Sequence, residues 1–210
     1  MATETELKLL LTEADIEGLR THPRLQAGAA RGCQTLFNTY YDSPDLALAQ
    51  AKVALRLRRQ GSRVIQTLKT RGQSVNGLHQ RGEWEWERDQ ATLDPALLVG
   101  DVWPEGLPPA AELHLLPVFT TDFERELWDV RYRNADIEVA LDRGRISCDG
   151  CAREDTILEL ELELKSGDAL ELLALADELG RQVTLQPFDL SKAQRGYQLY
   201  QQCRDTDQAG

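Results

Sequence analysis

Long apolar runs are missing from this chain of 210 residues, and without them there is no candidate for a membrane-spanning helix. The N-terminus opens Met1-Ala2-Thr3-Glu4, acidic where a secretory signal would be basic, so a cytoplasmic protein is expected. Histidine is scarce: His22, His79 and His114 have no partner at metal-ligand spacing, which leaves no histidine-built zinc centre. Cysteine adds little. Cys33 and Cys203 stand alone, and Cys148-Asp149-Gly150-Cys151 is a single CxxC without the second pair that a zinc ribbon needs. Its Asp-Gly centre is a turn signal, so two thiols flanking a turn are expected. An overall basic excess is absent as well. The net charge of −11 argues against general nucleic-acid or anionic-membrane binding. No GxxxxGKS/T, GxGxxG, GxSxG or HExxH occurs, so the usual motif-borne phosphate, dinucleotide, hydrolase and zinc readings have no support.

What is present is charge on every second residue, in segments far apart. The first is Glu4-Thr5-Glu6-Leu7-Lys8. Leu55-Arg56-Leu57-Arg58 and Gln66-Thr67-Leu68-Lys69 follow, and later Leu158-Glu159-Leu160-Glu161-Leu162-Glu163-Leu164-Lys165. Side chains alternate faces along a strand, so each run places charge on one face and leucine on the other. Leu, Glu and Lys also suit helices, but a period of two would scatter the leucines of 158–165 around a helix and leave no apolar face. Inside the acidic chain, Arg56, Arg58, Arg59, Arg63, Lys69 and Arg71 form a basic block.

The length suits one domain with a substantial core. We expect residues 1–203 to form it and 204–210 to be a polar tail. Strands are expected at about 3–11, 33–41, 51–59, 63–71 and 82–88, then at 118–127, 129–133, 136–142 and 145–148. Trp84 and Trp86 fall on one face of the 82–88 strand and Glu83, Glu85 and Glu87 on the other. Thr12 fits a cap for a short helix, Leu93–Val99 another short helix, and the proline-rich 104–117 a connection. Asp168 can cap a helix over 169–179 ending at Gly180, and Ser191 one running to about Gln202. Many antiparallel strands can close into a barrel, which removes exposed edges. The fold class expected is therefore β-rich α+β: an antiparallel β-barrel of about eight strands with helices packed outside. Leucines and tryptophans facing outward need covering by helices or by another chain, and a homodimer is one such cover. The charged faces then converge on a wet interior with room for one small ligand.

Glu4, Glu6, Glu159, Glu161 and Glu163 would project in rows from two strands, with Glu138 and Asp142 from a third. Adjacent carboxylates repel unless cations neutralise them, and hard ions such as Mg²⁺ or Mn²⁺ suit that environment. The plainer reading of any single Glu-x-Glu is a solvated strand face. Lys8, Arg56, Arg58, Lys69, Arg81, Arg125 and Lys192 could line the same interior, where Arg offers a bidentate fork to phosphate oxygens. The plainer reading here is cross-strand pairing with glutamate.

This ordered set resembles the CYTH family of triphosphate tunnel metalloenzymes. Glu4-Thr5-Glu6-Leu7-Lys8 matches its ExExK, and Tyr40-Tyr41-Asp42-Ser43-Pro44 is similar to its YYDTP, with Ser in place of Thr. Gly77-Leu78-His79-Gln80-Arg81 and Ser191-Lys192-Ala193-Gln194-Arg195-Gly196 resemble the bacterial inorganic-triphosphatase branch. The likeness runs over about residues 3–200. It implies a tunnel that hydrolyses inorganic triphosphate, or another triphosphate or polyphosphate, with Mg²⁺ or Mn²⁺. Lys8, Arg56, Arg58, Lys69, Arg81, Arg125 and Lys192 are then substrate contacts, and Glu4, Glu6, Asp142, Glu161 and Glu163 metal ligands. Which two carboxylates of the 159–161–163 row touch metal stays open. Many members of this branch carry a histidine-rich CHAD domain after the CYTH domain; no such segment is present in these 210 residues. Rival readings are a thiamine triphosphatase or class IV-type adenylate cyclase on the same fold, and a non-catalytic polyphosphate-binding module.

Overall fold

The computed structural model describes residues 2–208. The strands are β1 (Ala2–Leu10), β2 (Ala29–Asp42), β3 (Ala54–Gln60), β4 (Arg63–Lys69), β5 (Gln73–Val75), β6 (Leu78–Arg88), β7 (Leu116–Tyr132), β8 (Ala135–Ser147), β9 (Glu154–Ser166) and β10 (Gln186–Pro187). Helices are α1 (Ile16–Arg20), α2 (Pro23–Ala27), α3 (Ala47–Gln50), α4 (Leu170–Leu179) and α5 (Lys192–Gln208). Eight strands close antiparallel in the order β1-β9-β8-β7-β2-β3-β4-β6, with β6 pairing back onto β1. The two short strands β5 and β10 extend β6 and β1 outside that ring. No helix among the described residues is long and apolar enough to cross a membrane.

Register turns the alternating pattern into two surfaces. Where β1 meets β9, Glu6 faces Glu163 and Lys8 faces Glu161, while Leu7 faces Leu162 and Leu9 faces Leu160. Charge therefore meets charge inside the ring, and leucine meets leucine outside. The outer leucines of β1, β8 and β9 are buried beneath Ile16, Leu19, Leu25, Leu172, Leu175 and Leu179 of α1, α2 and α4. Leu55 and Leu68, with Trp84 and Trp86 against them, are covered by the segment carrying Leu98, Trp103 and Ala110. The chain's own helices and loops thus supply the cover that the outward leucines and tryptophans required.

Caps follow the sequence closely. Thr12 and Asp15 form a capping box ahead of α1, although the first turn is 3₁₀. Asp168 accepts from Leu170 N at 2.9 Å before α4. Ser191 and Gln194 satisfy each other's backbone N–H ahead of α5, at 3.2 and 2.8 Å. Asn76-Gly77 makes the β5–β6 turn with both residues at positive φ, 51° and 80°, as a tight hairpin requires.

Several expectations need correction. Leu93–Val99 is not a helix: only Pro95–Leu97 forms a 3₁₀ turn. A segment this short takes its conformation from tertiary packing, and here Leu98 is drawn into the core beside the tryptophans. The strands expected at 118–127 and 129–133 are one, β7, and those at 136–142 and 145–148 are one, β8. Pairing runs through the expected breaks: Trp128 and Asp129 pair with Val139 and Glu138, and Gly144 pairs with both Phe123 and Ile157, so neighbouring strands on each side hold the backbone extended. The polar tail expected from residue 204 continues α5 to Gln208, and residues 209–210 lie outside the described ones. Cys151 and Cys203 are not isolated thiols: they form a disulfide.

α5 packs on β7, β8 and β9, with Tyr197, Leu199 and Cys203 buried against Phe119, Ile146 and Ile157. Gly196 lies against the Phe119 ring, where any Cβ would collide with it. Gly196→Ala is expected to lower stability by about 1–3 kcal/mol, the usual cost of overpacking. Urea unfolding checks this; an unchanged midpoint would mean that α5 is not tightly seated.

Candidate active site

The barrel encloses a cavity of about 710 Å³. Within a chain of net charge −11, its lining is basic: ten Lys and Arg side chains face eight Asp and Glu. Total charge concealed this because the acidic excess lies elsewhere on the molecule.

All seven predicted basic residues line it: Lys8 from β1, Arg56 and Arg58 from β3, Lys69 from β4, Arg81 from β6, Arg125 from β7 and Lys192 from α5. Glu4, Glu6, Glu161 and Glu163 line it too, and Asp142 joins them through Arg125 and Lys192. The structure divides these groups into two acidic sets.

The first set is Asp142, Glu159 and Glu161, each offering an oxygen within 4.8 Å of the others. Lys192 Nζ donates to Asp142 at 2.6 Å, to Glu161 at 3.0 Å and to Glu159. Lys8 Nζ lies 3.2 Å from Glu159 and 3.0 Å from Glu161. Arg125 grips Asp142 through two bonds of 2.7 Å and reaches Glu161 at 2.5 Å. Burial opposes ionisation of Asp142 and Glu161, but these cations outweigh it and hold both carboxyls below the usual range. Burial likewise disfavours the charged form of Lys8 and Lys192, and the carboxylates outweigh it, raising both.

Glu4, Glu6, Glu83, Glu138 and Glu163 make up the second set. Arg81 bridges Glu4 at 2.9 Å and Glu6 at 3.0 Å, and Lys69 bridges Glu4 at 3.0 Å and Glu83 at 3.1 Å. Lys165 lies 2.7 Å from Glu163 and 3.4 Å from Glu138. Burial opposes ionisation of Glu4, yet Lys69 and Arg81 hold it far below the carboxylate range. Glu83 and Glu163 go the other way. Burial raises both, and the charge of Glu4 adds to it. Negative charge is thus less fully compensated at Glu83 and Glu163 than around Asp142.

A hard divalent cation fits this donor set by chemistry: carboxylate oxygens in a polar cavity, several of them crowded. Around Asp142, Glu159 and Glu161 the oxygens converge, but Lys8, Lys192 and Arg125 already meet their charge. Around Glu163 and its neighbours the excess charge is what a cation would relieve.

That crowding has a measurable consequence. A carboxyl whose folded pKa is raised takes up its proton more readily in the fold, so stability grows as pH falls toward that pKa. A carboxyl whose folded pKa is depressed keeps its contribution down to the unfolded value and loses it as pH falls through the folded one. With chelator present, stability is expected to rise as pH falls from 7 toward the ordinary carboxylate range, because Glu83 and Glu163 protonate in the fold before they do in the unfolded chain. Below about pH 4 it should fall as Asp142, Glu161, Glu85 and Glu4 lose their charge. Urea midpoints at pH 7, 5 and 3 test this, and a monotonic decline from pH 7 would refute the crowding.

Two bases differ from the rest. Arg56 is 6% exposed, yet its closest carboxylates, Glu83 and Glu85, lie at 3.7 and 3.8 Å. Its Nε has no partner, and it touches the Tyr40 hydroxyl only at 3.5 Å. Arg58 donates Nε–H to Asn38 at 3.0 Å and forms no ion pair among the described residues. Burial and the like charges of Arg56 and Arg125 pull Arg58 down to about 10. Two cations held in a cavity without close anions await an anion from outside.

Sequence reasoning passed over some contributors. Glu159 was left undecided within its row, yet it is fully buried and bound by Lys8, Lys192 and Arg195. Arg195 ties Glu159 and Asp155 to α5; its position three residues after Lys192 puts both on one helix face, a signal that was available. Asn38 and Tyr40 sit opposite Arg58 and Arg56 in the β2–β3 register, which only pairing reveals. Ser74, His79 and Asp189 also meet, but Asp189 accepts from Ser74 at 2.7 Å while His79 contacts the Phe188 carbonyl at 3.2 Å. That order, with the acid on the serine, is not one that activates a nucleophile.

Residues 2–197 match the CYTH domain. The inorganic triphosphatase of Haemophilus influenzae is 36% identical over 202 residues, covering 95% of this chain and 55% of the relative. The chain therefore spans a little over half the length of that curated relative. Among solved structures, the Hippeastrum protein HpAC1, a candidate adenylyl cyclase with a dominant triphosphatase activity, aligns with a TM-score of 0.68 at 16% identity. It covers 93% of this chain and 95% of that one. The Mimivirus capping enzyme triphosphatase aligns with a TM-score of 0.52 at 10% identity, over 88% of this chain and 90% of that one. These two show a shared fold, and the family match across nearly the whole sequence shows that the chain belongs to the CYTH family.

Proposed function

We propose that this chain hydrolyses inorganic triphosphate to pyrophosphate and phosphate within the barrel. The observation that carries this is the pair Arg56, buried, and Arg58, half-buried, in a basic cavity without close carboxylate partners. A polyanion supplies what they lack, and the arginine fork suits phosphoryl oxygens. The 36% identity to the Haemophilus influenzae inorganic triphosphatase supports the same substrate.

Arg56 and Arg58 bind and orient the chain of phosphates. Lys69 and Arg81, now shared with Glu4, Glu6 and Glu83, turn toward it as it enters. Lys8, Arg125 and Lys192 hold the far side and offset charge developing on the bridging oxygen as it becomes the leaving group. The carboxylate rows provide proton acceptors for the attacking water. Glu4, Glu6, Glu161, Glu163 and Asp142 would hold Mg²⁺ or Mn²⁺, which supplies Lewis-acid polarisation of phosphoryl oxygens when bound.

Phosphate release from inorganic triphosphate, ATP and thiamine triphosphate, each with Mg²⁺, Mn²⁺ or excess chelator, tests the proposal. Metal-dependent release favouring inorganic triphosphate is the expected result. Preference for thiamine triphosphate, or cyclic nucleotide formed from ATP, would move the chemistry to another substrate on this fold. Tight binding of triphosphate without release from any of the three would make the chain a polyphosphate-binding module.

A further inference from the structure

Three of the four cysteines lie together, away from the chemistry above. The disulfide between Cys151 and Cys203 spans 52 residues with Cα atoms 5.8 Å apart, within the normal range for such a bond. Cys148 is a free, buried thiol, and all three belong to the apolar cluster of Phe119, Ile146 and Leu199. Cys148-Asp149-Gly150-Cys151 is a tight turn: Cys151 N donates to the Cys148 carbonyl at 3.2 Å, and Gly150 supplies the positive φ of 76°. A β-turn brings its end Cα atoms within about 7 Å, so Cys151 is within bonding reach of Cys148 as well as Cys203.

Location gives this arrangement its meaning. Cys203 sits on α5, the helix whose first turn delivers Lys192 and Arg195 to Asp142, Glu159 and Glu161. Cys151 sits in the turn joining β8 to β9, the strands that carry those carboxylates. The bond therefore ties the helix bearing the cations to the hairpin bearing the anions.

We propose that Cys148, Cys151 and Cys203 form a thiol–disulfide switch in which Cys151 bonds either Cys203, fixing α5 to the β8–β9 turn, or Cys148, releasing it. In the exchange the Cys148 thiolate attacks Sγ of Cys151, the Cys151–Cys203 bond breaks, and Cys203 leaves as a thiolate that takes a proton from water. No net oxidation occurs. Forming either bond from two thiols delivers two electrons and two protons to a small-molecule disulfide, such as oxidised glutathione, which becomes two thiols. A dithiol reductant reverses it. Burial pushes the Cys148 thiol up to about 11, so exchange is slow at pH 7 and quickens about tenfold per pH unit as thiolate forms.

The switch rests on the reading of the cavity only for its effect on catalysis, so the deciding readouts are independent of activity. The chain is equilibrated with oxidised glutathione or with dithiothreitol, its disulfides are mapped by peptide mass spectrometry, and hydrogen exchange is followed across 192–208. Oxidation is expected to give the Cys151–Cys203 bond, and reduction to speed α5 exchange at least tenfold. Cys203→Ser should oxidise to Cys148–Cys151 and exchange like the reduced protein, while Cys148→Ser should lock Cys151–Cys203 at alkaline pH. Failure of Cys151–Cys203 to form in oxidised glutathione would overturn the proposal. So would α5 exchange that is equal in the wild-type chain with and without the bond. If redox state changes α5 exchange but no triphosphate is hydrolysed in either state, the switch stands and the substrate reading falls.

Discussion

Lys192→Ala is expected to destabilise the protein by about 3–5 kcal/mol, the usual cost of removing one partner from a buried ion cluster. Its ammonium touches Asp142, Glu159 and Glu161 together, and none of the three can turn to water: Asp142 and Glu159 are fully buried and Glu161 is 9% exposed. Lys8, Arg125 and Arg195 remain, but they do not occupy the point where the three carboxylates meet. The loss should shrink at acid pH, because Asp142 and Glu161, which Lys192 helps to hold ionised, can then be neutralised by protonation. Millimolar Mg²⁺ should also restore part of the stability, since a cation that binds only the folded state stabilises it by mass action. Urea unfolding at pH 7 and 5, with and without Mg²⁺, measures all three effects. A loss under about 1 kcal/mol would show that the cluster is solvated and that Lys192 is peripheral.

Arg56→Ala is expected to do the opposite: leave stability within about 1 kcal/mol of wild type while lowering triphosphate turnover by about 10²–10³-fold. The first half follows from an incompletely partnered guanidinium, whose nearest carboxylates are at 3.7 and 3.8 Å and whose Nε bonds to nothing. Removing a buried cation with weak partners gives back its desolvation cost, which offsets the packing lost. The second half follows because a preorganised charge aimed at a developing negative oxygen contributes on the order of 10²–10³ to rate. Arg125→Ala, by contrast, breaks contacts of 2.5–2.7 Å with Asp142 and Glu161 and should lose stability and activity together. Kinetics and unfolding on the same two variants separate a group left free for substrate from one that also holds the carboxylate cluster together. Equal stability losses in both would remove the distinction on which the substrate reading rests.

Much of the barrel could be read from alternation. Glu4 through Lys8 and Leu158 through Lys165 announce which side chains share a face, because a strand's period of two is local and unaffected by distant contacts. The caps at Asp168 and Ser191 were legible for the same reason, each needing only residues a few positions away. The 93–99 segment was not, since its conformation is set by Leu98 entering a core built from β3, β4 and β6. The residues singled out from the sequence line the cavity or, for Asp142, adjoin it through Arg125 and Lys192, but the sequence could not say how their charges would be shared. Lys8 meets Glu159 at a sequence separation of 151, and nothing near either residue encodes that pairing.

By itself, then, the sequence determined the face each charge would occupy, the outward leucines that demand cover, and the family to which the ordered motifs belong. Only the tertiary structure decided which charges neutralise one another, which arginines are left for a ligand, and that Cys151 reaches Cys203 on the last helix. The physical reason is one of range. Facing and capping are fixed by backbone geometry over a few residues, whereas charge compensation and bonding depend on strand register and barrel closure, which bring together segments separated by most of the chain.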